Sequence, residues 1–270
     1  MLVRRKAAFR CEAGTRFFVF MAYCILIFMN QEYGEQHTLS LIINTLRATL
    51  LKQGFFEHHL YSTQKYKIEN TDTFKVKNGL FLRYNPEPDI WQVGEKYDRF
   101  FWIGSMFRNE KRLSKFHRNE FTVIDIYFPH GTMKMVVAKF LSLLKALETG
   151  LHLQPLSKLP VRYLSHEEFA KQKALLRSSF WMVVTDYPVS ESFYDTKGKN
   201  RLHTNKFEIF YVHNGVSLEI AACGKLGENI NKINYIKGAK KLLNKKVAKK
   251  EFIGFGFGLE RIAYTYKLFR

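Results

Sequence analysis

Apolar positions in the first part of the chain recur at two different periods. Between residues 37 and 53, Leu39, Leu41, Ile42, Ile43, Leu46, Leu50 and Leu51 fall at helical spacing, and Gly54 stands where a left-handed cap ends a helix. The pattern predicts a helix with one buried face. Phe55-Phe56-Glu57-His58-His59-Leu60 then reads as extended and Leu80-Phe81-Leu82-Arg83-Tyr84 as a second strand, after which Pro86 and Pro88 punctuate the chain. Residues 99–107 and 121–128 are two aromatic, strand-forming stretches separated by the charged segment 109–119, which predicts a long antiparallel hairpin with a basic connecting loop.

Farther along, residues 132–147 read as an amphipathic helix, and Ser165-His166-Glu167-Glu168 has capping-box spacing for another. Residues 207–212 and 216–221 flank His213-Asn214-Gly215, a turn sequence that predicts a second hairpin. Between 237 and 250, lysine pairs interleave with Ala239, Leu242, Leu243 and Val247, as in a basic amphipathic helix or a plain solvated one. A strand from Phe252 through Gly258 leads into a short helix ending at Arg270. No repeat, low-complexity tract or internal linker interrupts this order, so an α+β fold is expected, with an antiparallel sheet flanked by helices.

Composition narrows the class. The 270 residues, 46 % hydrophobic and 16 % aromatic, suffice for one sizeable core. The net charge of +19 favours polyanionic partners such as tRNA, nucleotides or acidic proteins, although a lysine-rich composition alone produces the same bias. Cys11, Cys24 and Cys223 have neither disulfide nor zinc-ligand spacing, so a reducing, cytoplasmic setting is expected. Arg4, Arg5, Lys6, Arg10 and Arg16 precede an apolar run from Phe17 to Met29, which resembles a signal sequence. That run falls short of the roughly 20 residues a membrane span takes, and no small-x-small cleavage site follows it. Residues 1–36 are therefore expected to be an extension outside a catalytic domain at 37–270, with no stable membrane partner.

The chemistry-bearing residues cluster in the first hairpin and the last strand. Arg108 ends a strand and can bind a phosphate bidentately, while Glu110, two residues on, can accept from an exocyclic amine. His117 and Phe121 on the return strand offer a phosphate donor and a stacking platform. By itself an Arg-x-Glu is most often a surface ion pair. In Gly254-Phe255-Gly256-Phe257-Gly258-Leu259-Glu260-Arg261, alternating glycines strip one face of side chains, against which a planar ring could lie, while Phe255 and Phe257 fill the other. Arg261, in the first turn of the following helix, would meet phosphates there. Neither a dinucleotide G-x-G-x-x-G in its strand–loop–helix context nor a P-loop ending is present.

Taken together, these segments resemble class II aminoacyl-tRNA synthetases of the aspartyl, asparaginyl and lysyl subgroup. The likeness covers residues 37–270, with 39–60 similar to the dimer-forming motif 1, 99–128 to motif 2 and 254–264 to motif 3. It implies ATP as substrate, with Arg108 on the α-phosphate, Glu110 on the adenine amine, His117 on the distal phosphates and Phe121 on the adenine ring. Gly256 and Gly258 would lie beside the nucleotide, and Arg261 on the γ-phosphate. Glu208 and Glu219 fall where the family binds Mg2+, Glu87 where it contacts the substrate amino group, and Asp125 and Tyr127 where it lines the amino-acid pocket. The implied activity is formation of an aminoacyl-adenylate and its transfer, by default to tRNA. A relative that modifies a protein or amidates its own substrate, and a silent RNA-binding module, are the alternatives, and a homodimer is implied.

The chain departs from the family pattern at four places. His58-His59-Leu60 stands at the expected motif 1 proline, Phe116 where an arginine precedes the loop histidine, Glu208 in place of aspartate, and Leu226 beside Lys225 at the arginine or glutamate specificity position.

Overall fold

The computed structural model describes residues 31–68, 71–94, 96–171, 178–191, 195, 198, 202–226, 235–236 and 251–267. The predicted helix at 237–250 and the apolar run at 17–29 lie outside them.

Five helices are formed among these residues: α1 (Gln31–Lys52), α2 (Glu87–Gly94), α3 (Met133–Leu151), α4 (His166–Lys171) and α5 (Leu259–Thr265). The strands are β1 (Phe56–Glu57), β2 (Thr63–Gln64), β3 (Lys67–Ile68), β4 (Phe81–Leu82), β5 (Phe100–Phe107), β6 (Glu120–Pro129), β7 (Val161–Ser165), β8 (Phe180–Thr185), β9 (Phe207–His213), β10 (Val216–Leu226), β11 (Tyr235–Ile236) and β12 (Phe252–Gly258). Eight of them make one sheet in the order β1-β5-β6-β12-β10-β9-β8-β7. The central pairs are antiparallel, whereas the outer pairs β1/β5 and β7/β8 are parallel. Two small sheets, β2/β4 and β3/β11, lie apart from it.

Period-two alternation sorts the sheet into two faces. Phe101, Ile124, Ile126, Phe128, Ile253, Phe255 and Phe257 point to one face and join the main core with α1 and α3. On α3 the buried stripe is Val136, Val137, Phe140, Leu143, Leu144 and Leu147, each contributing roughly 1.5–3 kcal/mol by burial. Thr132 caps α3 by accepting from Met135 N at 3.3 Å, and Ser165 with Glu168 forms the expected capping box on α4, Ser165 N donating to the Glu168 carboxylate at 2.7 Å. Helix α1 packs on α3 and α5 and is already formed at Gln31, the first described residue, ahead of the apolar period at 37–53. Gly54, at φ 79°, ends it as expected.

The opposite face carries Trp102, Met106, Arg108, Phe121, Val123, Asp125 and Tyr127, with the glycines of β12 between them. It is flanked by α2, which no apolar period announced. Among the described residues, no helix is long and apolar enough to cross a membrane.

Candidate functional site

The site is a pocket on this second face, lined by β5, β6, β10 and β12, the β5–β6 loop, the start of α2 and the start of α5. Of the predicted residues it brings together Glu87, Arg108, Glu110, His117, Phe121, Asp125, Glu219, Gly256, Gly258 and Arg261.

Arg108 forms its centre. The last backbone bond of the hairpin, Arg108 N to Asn119 O at 2.9 Å, fixes where its side chain leaves the sheet. The guanidinium carbon lies 5.1 Å from the Tyr84 ring centroid and 5.2 Å from that of Phe121, so the fork is held between two aromatic rings. Its Nε is buried without a hydrogen-bond partner. A charged donor so placed is pre-set for an anion that enters the pocket.

Two buried carboxyls line the same pocket. Asp125 is 6 % exposed, and its Oδ2 and the Glu87 Oε2 are both buried without hydrogen-bond partners. Burial pushes the Glu87 carboxyl up to about 7, Asp195 adds to the rise, and Arg108 opposes it. Burial likewise raises Asp125 well above the usual carboxylate range, with Glu87 the next cause and Arg108 again opposing. A cation entering between the two acids would relieve both.

The glycines act differently from the expectation. Gly256 stands opposite Asp125, and Gly254 opposite Tyr127, in the β6–β12 register. A Cβ at Gly254 would lie 2.6 Å from the Tyr127 ring, and one at Gly256 would collide with the Asp125 carboxylate. The face left bare by Gly254 and Gly256 is therefore occupied by the chain's own side chains. At Gly258 the nearest atom to an added Cβ is Arg261 Cγ, 3.9 Å away, so that part stays open. Tyr127 does not reach the pocket wall. It is buried behind it, stacked 5.2 Å from Phe100 in a cluster with Ile90, Val93, Leu226 and Phe252.

The predicted metal acids stand on one face of neighbouring strands, with Glu219 opposite Phe210, two residues from Glu208. In β10 the register shifts between Glu219 and Ala221, a bulge that lets both Glu219 and Ala222 face the pocket. Glu219 meets Arg261, whose Nη1 donates to the Glu219 carbonyl at 2.7 Å and lies 3.4 Å from its carboxylate. Glu208 is engaged by other neighbours: Tyr187 donates to its Oε2 at 2.5 Å and Lys206 pairs with its Oε1 at 2.8 Å. Among the described residues, no three His, Cys, Asp or Glu side chains are grouped to hold a metal ion. Each of the two acids is paired with a cation of the chain's own, Glu208 with Lys206 and Glu219 with Arg261.

At the specificity position, Leu226 is 7 % exposed within the apolar cluster that holds Tyr127, and Lys225 pairs with Glu251 where β10 ends and β12 begins. Residues in or near the pocket that were not assigned from sequence include Tyr84, Asn85, Asp195 and Glu260. Glu260 is buried, accepts from Thr122 N at 2.8 Å, and anchors the strand that carries Phe121. Its place beside Arg261 was a signal that could have found it, whereas nothing in the sequence around Asp195 marks it.

A family model described as tRNA synthetases class II (D, K and N) matches residues 21–266. The chain belongs to that family. Among solved structures, it is similar to asparaginyl-tRNA synthetase from Pyrococcus horikoshii complexed with asparaginyl-adenylate, with a TM-score of 0.71 at 14 % identity over 95 % of this chain and 70 % of that one. It is also similar to asparaginyl-tRNA synthetase from Entamoeba histolytica, with a TM-score of 0.69 at 14 % identity over 88 % of this chain and 65 % of that one. The same Entamoeba histolytica enzyme in complex with asparaginyl-adenylate gives a TM-score of 0.68 at 13 % identity over 96 % and 69 %. A comparison with curated proteins found no match. The expected family and fold are thus met: the mixed sheet flanked by helices is the class II synthetase catalytic fold, and the family's enzymes are ATP-dependent ligases.

Proposed function

We propose that this synthetase-family chain joins an amino acid to ATP in the described pocket, giving an aminoacyl-adenylate and pyrophosphate, and passes the aminoacyl group to tRNA. The observation that carries the proposal is the charge pattern of the pocket, which sets the cations Arg108 and Arg261 and the buried acid pair Glu87 and Asp125 around one cavity. An amino acid entering amine first would place its ammonium between the acids and its carboxylate toward Arg108, where the α-phosphate of ATP also belongs. Attack of that carboxylate on the α-phosphorus needs alignment and charge neutralisation rather than a nucleophilic side chain. Arg108 would bind the phosphoryl oxygens as negative charge shifts onto the leaving pyrophosphate, Phe121 would stack on adenine, Glu110 would accept from its amine, and His117 and Arg261 would meet the outer phosphates. Gly258 leaves the open floor beside them. Family membership makes Mg2+ an expected companion of ATP, and Glu219 would be the acid to meet it, since Glu208 is engaged by Lys206 and Tyr187.

Asparagine is the first amino acid to test, because the structural neighbours are asparaginyl enzymes and Leu226 supplies no charge to a substrate side chain. We assign the catalytic domain to 37–270, with 1–36 as an extension from which α1 continues, and place the protein in the cytoplasm. A homodimer is part of the same proposal: Phe56 and Tyr97 stack 3.9 Å apart on the edge beyond β1, an exposed aromatic pair that a second copy would cover. Pyrophosphate exchange across the amino acids, followed by transfer assays with tRNA, protein and ammonia, tests the activity and separates the acceptors. If no amino acid supports exchange, the ligase proposal fails, and a silent RNA-binding module becomes the reading favoured by the +19 charge.

A further inference from the structure

The β5–β6 loop carries Glu110, Lys115 and His117 into the pocket, yet it is rich in like charges, with Lys111, Arg112, Lys115 and Arg118 close together in sequence. Such a loop does not hold one position without partners. Its outer side is tied by Asn109, whose N donates to Asp72 O at 3.0 Å. Its inner side is seated on one residue of α5. The Phe116 ring meets Tyr264 edge to face, with centroids 5.4 Å apart at 73°. The Lys115 ammonium lies 4.9 Å from the Phe116 centroid and 5.5 Å from that of Tyr264. Arg118 Nη2 donates to Tyr264 Oη at 3.3 Å, and both Arg118 Nη atoms reach Glu35 of α1 at 3.2 Å. Tyr264 is three residues after Arg261, so the two share a helix face. Arg261 itself reaches the loop through Nη2 to Phe116 O at 3.4 Å. Phe116, at the position where the family pattern has an arginine, thus holds the loop by ring packing.

We infer that Tyr264 and Glu35 are positioning residues that clasp the β5–β6 loop onto α5 and α1, and so set how Glu110 and His117 meet the nucleotide. Neither touches the reacting atoms. The inference rests on the ATP site proposed above.

The test uses the full chain, titrated with a fluorescent ATP analogue and digested briefly with trypsin, whose targets Lys111, Arg112 and Lys115 lie in the loop. Tyr264→Ala is expected to weaken analogue binding about tenfold, the size of losing an aromatic pair and a cation–π contact together, and to speed loop cleavage. Tyr264→Phe keeps the ring and should stay within about threefold of the parent, whereas Phe116→Ala, made on the loop itself, should behave as Tyr264→Ala does. Glu35→Gln should weaken binding a few-fold, with the effect shrinking as salt is added. Tyr266→Phe is the control for a merely structural effect, because its hydroxyl bonds Glu148 on the core side of α5. It should lower the melting temperature without moving binding or cleavage. The clasp is overturned if Tyr264→Ala and Phe116→Ala leave both readouts at the parent level, or if Tyr266→Phe moves them equally. Failure of the parent to bind the analogue, or indifference of binding to Arg108→Ala, instead sinks the ATP site, and loop cleavage alone then decides the clasp.

Discussion

Asp125 and Gly256 stand opposite each other in the β6–β12 register, and the Asp125 carboxylate fills the space that a Cβ at Gly256 would take. The glycine therefore serves the neighbouring acid as well as any ligand. Gly256→Ala should displace Asp125 at a cost of about 1–3 kcal/mol of stability, the usual range for overpacking. Asp125→Asn keeps the shape and removes the charge, so it should spare the melting temperature while raising the amino-acid KM in pyrophosphate exchange. An unchanged melting temperature for Gly256→Ala would contradict the close approach.

Glu87 supplies a pH dependence whose sign follows from its shift. Its carboxyl is pushed up from 4.5 to about 7, chiefly by burial, so the folded chain holds a proton that the unfolded chain releases. The associated stability is fully present below about pH 4.5 and is lost as pH rises through 7. Glu87→Gln should flatten that decline in a series of thermal melts and leave the free protein more stable than the parent at pH 8. It should also abolish amino-acid-dependent exchange, since an amide does not neutralise an ammonium. In the parent, the amino-acid KM should fall as pH rises through 7 and the acid ionises.

Arg108 is held by two rings as well as by charge, so its lysine substitute is not conservative. Arg108→Lys should lose the planar contacts and the fork, lowering kcat/KM for ATP by roughly 10²–10³, as for removal of a donor that stabilises developing charge. Retention of exchange within about tenfold would move the phosphate role elsewhere.

Elements with a clean period were legible from sequence. The strands 99–107 and 121–128 pair as expected because their alternation matches a sheet buried on one face by helices. Asn214 and Gly215, at φ 51° and 80°, form the turn that their types predict. Helix α2 was hidden because Pro86 and Pro88 read as breaks, although proline is well tolerated in a first helical turn, where no backbone donor is missed. Strand β8 was hidden in the run Phe180-Trp181-Met182-Val183-Val184, buried throughout and so without alternation. Strand 55–60 shrinks to Phe56–Glu57, since past His58 the chain turns away from β5. Residues that act through tertiary contact, such as Asp195 and Tyr264, carry no local pattern from which their roles could be inferred.

Glu208 and Glu219 separate a packing role from a site role. Glu208 is bonded to Tyr187 and Lys206 at 2.5 and 2.8 Å, while Glu219 faces the pocket and meets Arg261. Glu208→Gln takes the carboxylate charge away from the half-buried Lys206 ammonium and from the Tyr187 hydroxyl, so it should cost about 1–3 kcal/mol of stability. The same change should leave the Mg2+ dependence of exchange near that of the parent. Glu219→Gln should do the reverse, shifting the Mg2+ concentration needed for half-maximal exchange upward with little loss in melting temperature, because its carboxylate stands in a more solvated position. A matching Mg2+ shift in both variants would mean that Lys206 yields Glu208 to the ion once ATP is bound, and that the ion pair in the free protein is a resting arrangement of a two-acid site.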